Sequence, residues 1–408
     1  MLTYTYTARD IGSGKKVEAE VQAENEKAAV KLLTERGLSP LDIKLKESGS
    51  GVLHGFRNRV RTKHRVIFSR QLSTLISAGL PLVQSLNTVR EQTQSKALKE
   101  VIGEVVNDVE AGSTLSDAMA RHPRVFNNVF TSLVAAGEAS GTLDTSLERL
   151  SSQQEKDAEL VAKVRGALIY PSIVLLVLVG VVAFMLTTVL PQVKSLYEGL
   201  PGAELPLVTK ILLAVSTFII NYWWVILLVL GIAAFFSVRW ARTPAGQRIV
   251  DELKMRVWPF GPLFKKLYMA RFARTGATLI GSGVPMIKML TTTADAVGNV
   301  LVSESIHKAI EQVKGGKALS DSLEGDPYFL DLVPDMIKIG EQSGQIEGMM
   351  GKVADYYERE VDDQIRAIST TIEPALMIIV GVMALIIVAA ILLPIYSLAG
   401  NNLVQKLR

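Results

Sequence analysis

Gly137-Glu138-Ala139-Ser140-Gly141-Thr142-Leu143 opens a polar, helix-patterned segment that runs to Arg165. Tyr170-Pro171-Ser172-Ile173 follows, then an apolar run closing on Leu190-Pro191. The plan returns near the C-terminus. Gly340-Glu341-Gln342-Ser343-Gly344 matches the opening at an offset of 203, where Glu155 meets Glu358, Pro171 meets Pro374 and Pro191 meets Pro394. Twice, a glycine-flanked turn starts a long polar helix that ends in a stretch apolar enough to enter a membrane. Upstream the correspondence continues at an offset of 204. Phe68-Ser69-Arg70 meets Phe272-Ala273-Arg274, and Ser77-Ala78-Gly79-Leu80-Pro81 meets Gly281-Ser282-Gly283-Val284-Pro285. Gly112, Leu115-Ser116-Asp117 and Pro123 meet Gly316, Leu319-Ser320-Asp321 and Pro327. The pattern reads as an internal duplication with one indel before the Gly-Glu motif.

Three stretches are free of Asp, Glu, Lys and Arg: 166–193, 211–238 and 374–405. Each exceeds the roughly 20 apolar residues that a spanning helix needs; core runs are shorter and broken by charge. Transmembrane helices are expected at 167–190, 211–238 and 374–397. The chain of 408 residues is 49% hydrophobic, with mean hydropathy +0.28, and these stretches hold the excess. Basic residues are uneven: 23 precede Gly166 and 17 lie between Arg239 and Glu373. Only Lys194 and Lys210 fall in 191–210, and only Lys406 and Arg408 in the tail. The positive-inside bias puts 1–165 and 239–373 in the cytoplasm, and the loop 191–210 and tail 398–408 outside. An inside N-terminus, three spans and an outside C-terminus agree with one another. Met1-Leu2-Thr3-Tyr4 carries no basic n-region before an apolar core, so the first span is expected to direct insertion.

Residues 1–46 read as a small β-β-α-β module. Tyr4 and Tyr6 alternate with threonines, Ile11-Gly12-Ser13-Gly14 turns, and Val17, Ala19 and Val21 share a face. Ala23 to Arg36 reads as a helix stopped by Gly37, and Leu41 to Leu45 as a last strand. So small a module is expected to serve as a docking element. A basic linker, 47–66, follows. Two stretches hold bases without acids, Ser48–Arg90 and Leu253–Ala294. In the second, Lys254, Arg256, Lys265 and Lys266 alternate with Trp258, Phe260, Phe264 and Tyr268. Such interleaving can bind nucleic acid. Placed directly after a span, 253–270 reads instead as a basic amphipathic segment on the anionic inner leaflet, with no nucleic acid as partner.

Each copy reads as about six helices joined by Gly-x-Pro stops and starts. Leu98, Val101, Ile102, Val105, Val106 and Val109 fall on one helical stripe, and Thr114-x-x-Asp117 resembles a capping box. Two homologous cytoplasmic helical bundles are expected, at 67–165 and 271–372, in a mainly α, polytopic membrane protein. As one continuous helix, Thr142 to Leu190 spans about 70 Å at 1.5 Å per residue. Pro171 and Pro374 should kink their helices near the inner surface.

Catalytic signals are missing. With no cysteine, disulfides, thiolate chemistry and Cys-ligated metals are excluded. Gly12-Ser13-Gly14-Lys15 and Lys314-Gly315-Gly316-Lys317 fail the phosphate-loop pattern, since Arg9 or Glu311 stands where it needs glycine, and Lys16 or Ala318 where it needs Ser or Thr. His54, His64, His122 and His307 have no ligand spacing, and no G-x-S-x-G elbow is present. Neither enzymatic activity nor a cofactor or metal is expected. Glu138, Asp144, Glu155, Asp157, Glu341, Glu358, Asp362 and Asp363 read foremost as solvated helix faces. Glu373, before Pro374, stands at the inner edge of the third span, either in water or as a polar contact to another helix. Candidate partner or mechanical positions are Glu138, Gly141, Glu155, Pro171, Glu341, Gly344, Glu358, Glu373 and Pro374.

The F-x-R start, Ser77–Leu82, Gly112-x-x-Leu115-Ser116-Asp117, Gly137–Gly141, Tyr170-Pro171 and the second copy ending in Ile372-Glu373-Pro374 together resemble the F family of type II secretion systems. That family includes the inner-membrane platform protein of type IV pili, and the likeness covers essentially the whole chain. It implies two cytoplasmic helical domains, three spans and no catalysis, in a dimeric or larger platform of the bacterial inner membrane. It further implies coupling of a cytoplasmic hexameric ATPase to extraction of pilin or pseudopilin subunits, beside other inner-membrane assembly proteins. The copies diverge at Tyr328-Phe329-Leu330, where the first has Arg124-Val125-Phe126, and at Gly276, where the first has Leu72. A small transporter or channel, or a membrane-anchored scaffold, are the alternative readings. Repeats occur in transporters, but the spans lack the ionisable residues that ion paths use.

Overall fold

The alternation at Tyr4, Tyr6, Val17, Ala19 and Val21 becomes extended backbone. In this computed structural model, which describes residues 2–10, 16–23, 30, 32–34, 38–45, 60–192, 195 and 207–406, Leu2–Asp10 (β1), Lys16–Ala23 (β2) and Leu38–Leu45 (β3) form an antiparallel sheet of order β2-β1-β3. Tyr6 stands opposite Ala19 on one side and Ile43 on the other. Pro40 lies in β3, an edge strand, where a missing N–H costs no ladder bond. Residues 30 and 32–34 are helical. The turn at Ile11–Gly14, most of the helix expected at Ala23–Arg36, linker residues 47–59, most of the loop 191–210 and the end of the tail lie outside the described residues. The chain divides into two units, Met1–Arg59 and Val60–Arg408.

Among its described residues, the regular structure of the second unit is all helical. Its first half runs α1 (Thr62–Ser77), α2 (Leu82–Gln92), α3 (Lys96–Glu110), α4 (Leu115–Ala120), α5 (Asn128–Ser140) and the long α6 (Leu143–Phe184). Then come α7 (Leu207–Trp240) and α8 (Pro244–Arg256). The second half runs α9 (Phe260–Gly281), α10 (Met286–Ala296), α11 (Val300–Lys314), α12 (Leu319–Leu323), α13 (Leu332–Ser343) and α14 (Ile346–Lys406). Local chemistry sets the boundaries. The side chains of Ser95, Thr114, Asn127 and Asn299 accept from the first-turn N–H groups of α3, α4, α5 and α11. The stripe on α3 faces inward: Leu98, Ile102, Val105 and Val106 are buried.

Buried residues from both halves join in one apolar cluster, from Phe68 and Leu72 through Phe272 and Met289 to Met350 and Tyr357. Polar contacts cross the same seam. Asn128 donates to Asp295 at 2.7 Å, and Gln153 bonds both Thr275 and Thr278. Gly276 is part of this packing: a Cβ there would meet the end of the Met350 side chain, which fills the space beside it. The other apparent divergence dissolves. Phe329 packs on Phe272 with ring centroids 5.0 Å apart, as Phe126 packs on Phe68 at 5.7 Å. Phe126 and Phe329 are 203 positions apart, so the indel falls before them and the ring is kept in both copies.

Three helices are long and apolar enough to cross a membrane, within Leu143–Gln192, Thr209–Trp240 and Ile346–Leu392. They carry exposed Leu176, Val179, Trp223, Leu227, Phe235, Met377 and Leu385, which water would not favour. Met185, Leu186, Leu213 and Ala390 bring the three together. A π-helical turn, Met185–Val189, lies at this contact, and the Ser216 hydroxyl of α7 donates to the Leu186 carbonyl there. Pro171 and Pro374 both sit inside unbroken helices. Among these three, the recorded break in helical dihedrals falls at Tyr222 of α7 instead (φ −117°, ψ 16°). The stretch 253–270 is split by packing. Leu253 and Trp258 are exposed, whereas Leu263, Leu267 and Tyr268 are buried, so from Leu263 onward it turns toward the protein interior.

Candidate functional site

Two repeated motifs meet in each half. The Glu138 carboxylate accepts from the Leu115 and Ser116 N–H groups at 2.5 and 2.9 Å. Glu341 does the same to Leu319 and Ser320 at 2.7 and 3.3 Å, and takes the Ser320 hydroxyl as well. The Glu of Gly-Glu-x-Ser-Gly thus seats on the first turn of the short Leu-Ser-Asp helix. Charge-assisted bonds to orphan N–H groups explain why an acid stands there. Three residues on, Gly141 (φ 71°) and Gly344 (φ 70°) end α5 and α13 in the left-handed region, which side-chain-bearing residues rarely adopt. The Thr142 N–H donates to the Gly137 carbonyl and Gln345 to Gly340, both at 2.9 Å, as a Schellman turn requires. The chain reverses there into α6 or α14.

Those two long helices are tied back by arginine. Arg70 of α1 pairs with Glu155 of α6 at 3.0 Å. In the second half Arg274 of α9 grips Glu358 of α14 with two bonds, 2.7 and 2.8 Å, and also bonds Asp355. These are matching positions: Arg70 and Arg274 open the repeats, and Glu155 and Glu358 correspond. The environments differ. The Arg274 and Glu358 side chains are 18% and 17% exposed, against 52% and 36% for Arg70 and Glu155. Burial draws the Asp355 carboxyl up, but the Arg274 bond together with the charges of Arg274, Lys156 and Arg359 outweighs it and holds the group below the usual carboxylate range. Arg274 itself, penalised by burial, is held above its usual value by Glu358 and Asp355.

A ladder joins the long helices directly. Arg149 pairs with Glu347 at 3.1 Å, Lys156 with Asp355 and Glu358 at 3.7 and 3.5 Å, and Lys163 with Asp362 at 2.8 Å. Partner numbers rise together, so α6 and α14 run parallel. The bases on α6 recur every seven residues, the spacing that keeps one helix face turned to a neighbour. α9 reinforces both, through Arg271 to Asp157 at 2.7 Å and Lys266 to Glu360 at 2.6 Å. Many acids of the long helices are therefore ion-paired between helices, several of them while still a third to a half exposed. Among the described residues, no cluster of three or more His, Asp or Glu could hold a metal.

Beyond the ladder, Gly166, Ala167, Tyr170 and Pro171 of α6 and Ser369, Thr370 and Glu373 of α14 line one cavity of about 500 Å³. The structure thus brings Pro171 and Glu373 together, and joins Glu358 to Lys156. It keeps Glu138, Glu155 and Glu341 apart, each at its own local contact; Pro374 follows Glu373 within α14. Sequence reasoning missed Arg70, Arg274, Lys156 and Lys163 as partners. The signals were present: an Arg and a Glu repeated together in both copies, and a seven-residue beat of bases at 149, 156 and 163.

A double-mutant cycle at Arg274 and Glu358, by denaturant unfolding of the full chain in detergent, should give a coupling of about 2 kcal/mol, as expected for a partly buried bidentate pair. The cycle at Arg70 and Glu155 should give less than about 1 kcal/mol, the range of exposed pairs. Equal couplings would contradict the assignment of the tighter clamp to the second half. Tyr357 provides a pH test. Burial raises its hydroxyl from 10.0 to about 12. A raised value means stability that is complete below the unfolded value and is lost as pH climbs through the folded one. Unfolding midpoints should therefore fall between pH 10 and 12, and Tyr357→Phe should reduce that loss while leaving the midpoint near neutrality unchanged.

The family model described as type II secretion system (T2SS), protein F matches this chain twice, at residues 68–191 and 272–394. The model for the N-terminal domain of type II secretion system protein F matches residues 1–44. Type IV pilus assembly protein PilC of Thermus thermophilus is 40% identical over 99% of this chain and all of the relative. The PilC protein of Myxococcus xanthus is 36% identical over 95% of this chain and 93% of its own length. Type II secretion system protein F of Vibrio cholerae is 32% identical over the full length of both. Two matches that cover both helical halves, and relatives similar from end to end, leave one conclusion: the chain belongs to the type II secretion system protein F family.

Proposed function

We propose that this protein is the inner-membrane platform of a type IV pilus or type II secretion pseudopilus. It couples a separate cytoplasmic hexameric ATPase to the extraction of pilin-like subunits from the membrane. One observation carries the reading. Two parallel helices, each continuing from a packed bundle into an apolar segment, are locked by a charge ladder. Such a pair transmits displacement between bundle and membrane without any catalytic group. The relatives named for pilus assembly and for type II secretion support the same role. In this reading 67–165 and 271–372 are duplicated cytoplasmic domains, and 1–46 is a docking module. The spans are 167–190, 211–238 and 374–397, with 191–210 and 398–408 outside the cytoplasm. The platform works as a dimer or larger assembly beside other inner-membrane components. Glu138, Gly141, Glu341 and Gly344 anchor the base of each long helix, Glu155 and Glu358 clamp it, and Pro171, Glu373 and Pro374 mark where it meets the bilayer.

Removing the chain from its cell should abolish surface filaments or protein secretion while subunit levels stay normal; intact filaments and secretion would sink the proposal. A reporter fused after Arg408 should be exported and one inserted near Gly315 retained, and a cytoplasmic C-terminus would refute three spans. Glu373→Ala should impair assembly with the protein still in the membrane, since its carboxylate lines the cavity between the long helices. Wild-type filament numbers in that variant would remove its role.

A further inference from the structure

Just inside the expected membrane boundary, α6, α8, α9 and α14 leave a second cavity of about 450 Å³ between them. Its wall is apolar, with Val164 and Ala167 of α6, Leu253 of α8, Val257 just after α8, and Ile368 of α14 among the lining residues, and one base, Lys254. The volume lies within the range of ligand pockets, about 300–1,000 Å³. Water fills such a space poorly, because a buried water needs two to four polar partners. The position matters equally. Gly166, where the charge-free stretch of α6 begins, lies between Val164 and Ala167 in sequence, and Ile368 precedes the third apolar stretch by less than two turns.

The mouth is dressed as a membrane-facing surface. Leu253 and Val257 are half-exposed although they line the cavity, and Trp258, the next residue, is 76% exposed. Trp at this level is an interfacial anchor. The Lys254 ammonium reaches Asp251 at 2.8 Å, and its side chain remains 40% exposed. An ammonium has three donors, so it keeps capacity for a second acceptor. Arg239 in the last turn of α7 and Arg242 just after it are exposed and add positive charge on the approach to α8. The anionic inner leaflet attracts such bases.

We propose that this cavity holds an acyl chain of one anionic phospholipid from the inner leaflet, with the headgroup on Lys254. The bound lipid completes the packing at the point where the two long helices leave the bundle. A chain already in hydrocarbon gains little by transfer, so selectivity comes from the headgroup charge, and retention from filling a space that water cannot. The inference rests on the membrane placement of the apolar helices and not on the platform role.

The full chain, reconstituted in nanodiscs of phosphatidylcholine with a minor share of phosphatidylglycerol, is released into detergent and its retained lipid read by native mass spectrometry. Wild type should keep phosphatidylglycerol in preference to phosphatidylcholine. Ala167→Trp and Val250→Trp, which fill the cavity from two different helices, should lose the retained lipid. Lys254→Gln, at a half-exposed position, should retain lipid but lower the anionic preference about fivefold, as expected for one base at a membrane surface. If a tryptophan variant does not fold, Lys254→Gln alone still decides through the headgroup preference. Equal retention in wild type and the filled variants overturns the proposal. So does a wild type without retained lipid, or displacement of a second copy of the chain in place of lipid. Filament assembly does not enter this readout, so failure of the platform reading leaves it standing.

Discussion

An acid on a packed helix needs a donor or a base opposite it, and here that requirement organises the second unit. Glu138 and Glu341 each satisfy it with helix N–H groups, and Glu155 and Glu358 with an arginine from the first helix of their own repeat. Removing either partner of such a contact leaves the other unsatisfied, which costs more than the contact itself contributes. The motifs are therefore halves of contacts. Gly-Glu-x-Ser-Gly acts with Leu-Ser-Asp, and the arginine of F-x-R acts with a glutamate more than eighty residues away. Each long helix is fixed at its base by the first pair and twelve residues further along by the second.

The two halves use this scheme unequally. Leu72 packs in the first core where Gly276 admits Met350 in the second. Between the same two helices, α9 and α14, Arg274 grips both Glu358 and Asp355. The first half, with its single exposed Arg70–Glu155 pair, holds α6 more loosely. Its missing restraint is supplied from across the repeat boundary, by Arg271 on Asp157 and by the ladder to α14. A duplicated scaffold has become one body in which the second half braces the first.

Much of this was legible in the residues. The charge-free stretches gave the three long apolar helices because length and the absence of charge are sufficient signals there. Glycine positions gave the ends of α5 and α13 because positive φ selects the residue type directly. The stripe on α3 gave its buried face. Less was legible wherever the decisive quantity was a distance. The acids at 155, 157, 358 and 362 read as solvated faces because a helix sequence does not state what packs against it. Likewise Lys266 read as a base facing lipid, when tertiary packing had turned it toward a carboxylate. At Pro171 and Pro374 the helices continue unbroken, because neighbouring helices can re-satisfy the groups a proline frees in an apolar segment.

The parallel arrangement of α6 and α14 limits the movements that the pair can make. A slide of one turn moves a helix by about 5.4 Å, enough to separate every rung whose atoms now lie at 2.8 to 3.7 Å. Because the bases recur every seven residues, a shift must travel about 10 Å, two turns, before the next set of rungs can form. Intermediate registers give up these part-exposed pairs with no new rung in their place. Sliding is thus opposed along the whole ladder, whereas tilting the two helices together preserves each rung. In the platform role proposed above, force applied to the bundle is carried to the apolar segments as a joint tilt or rotation of the pair. The cavity holding Tyr170, Pro171 and Glu373 lies where that motion passes from charged to uncharged helix.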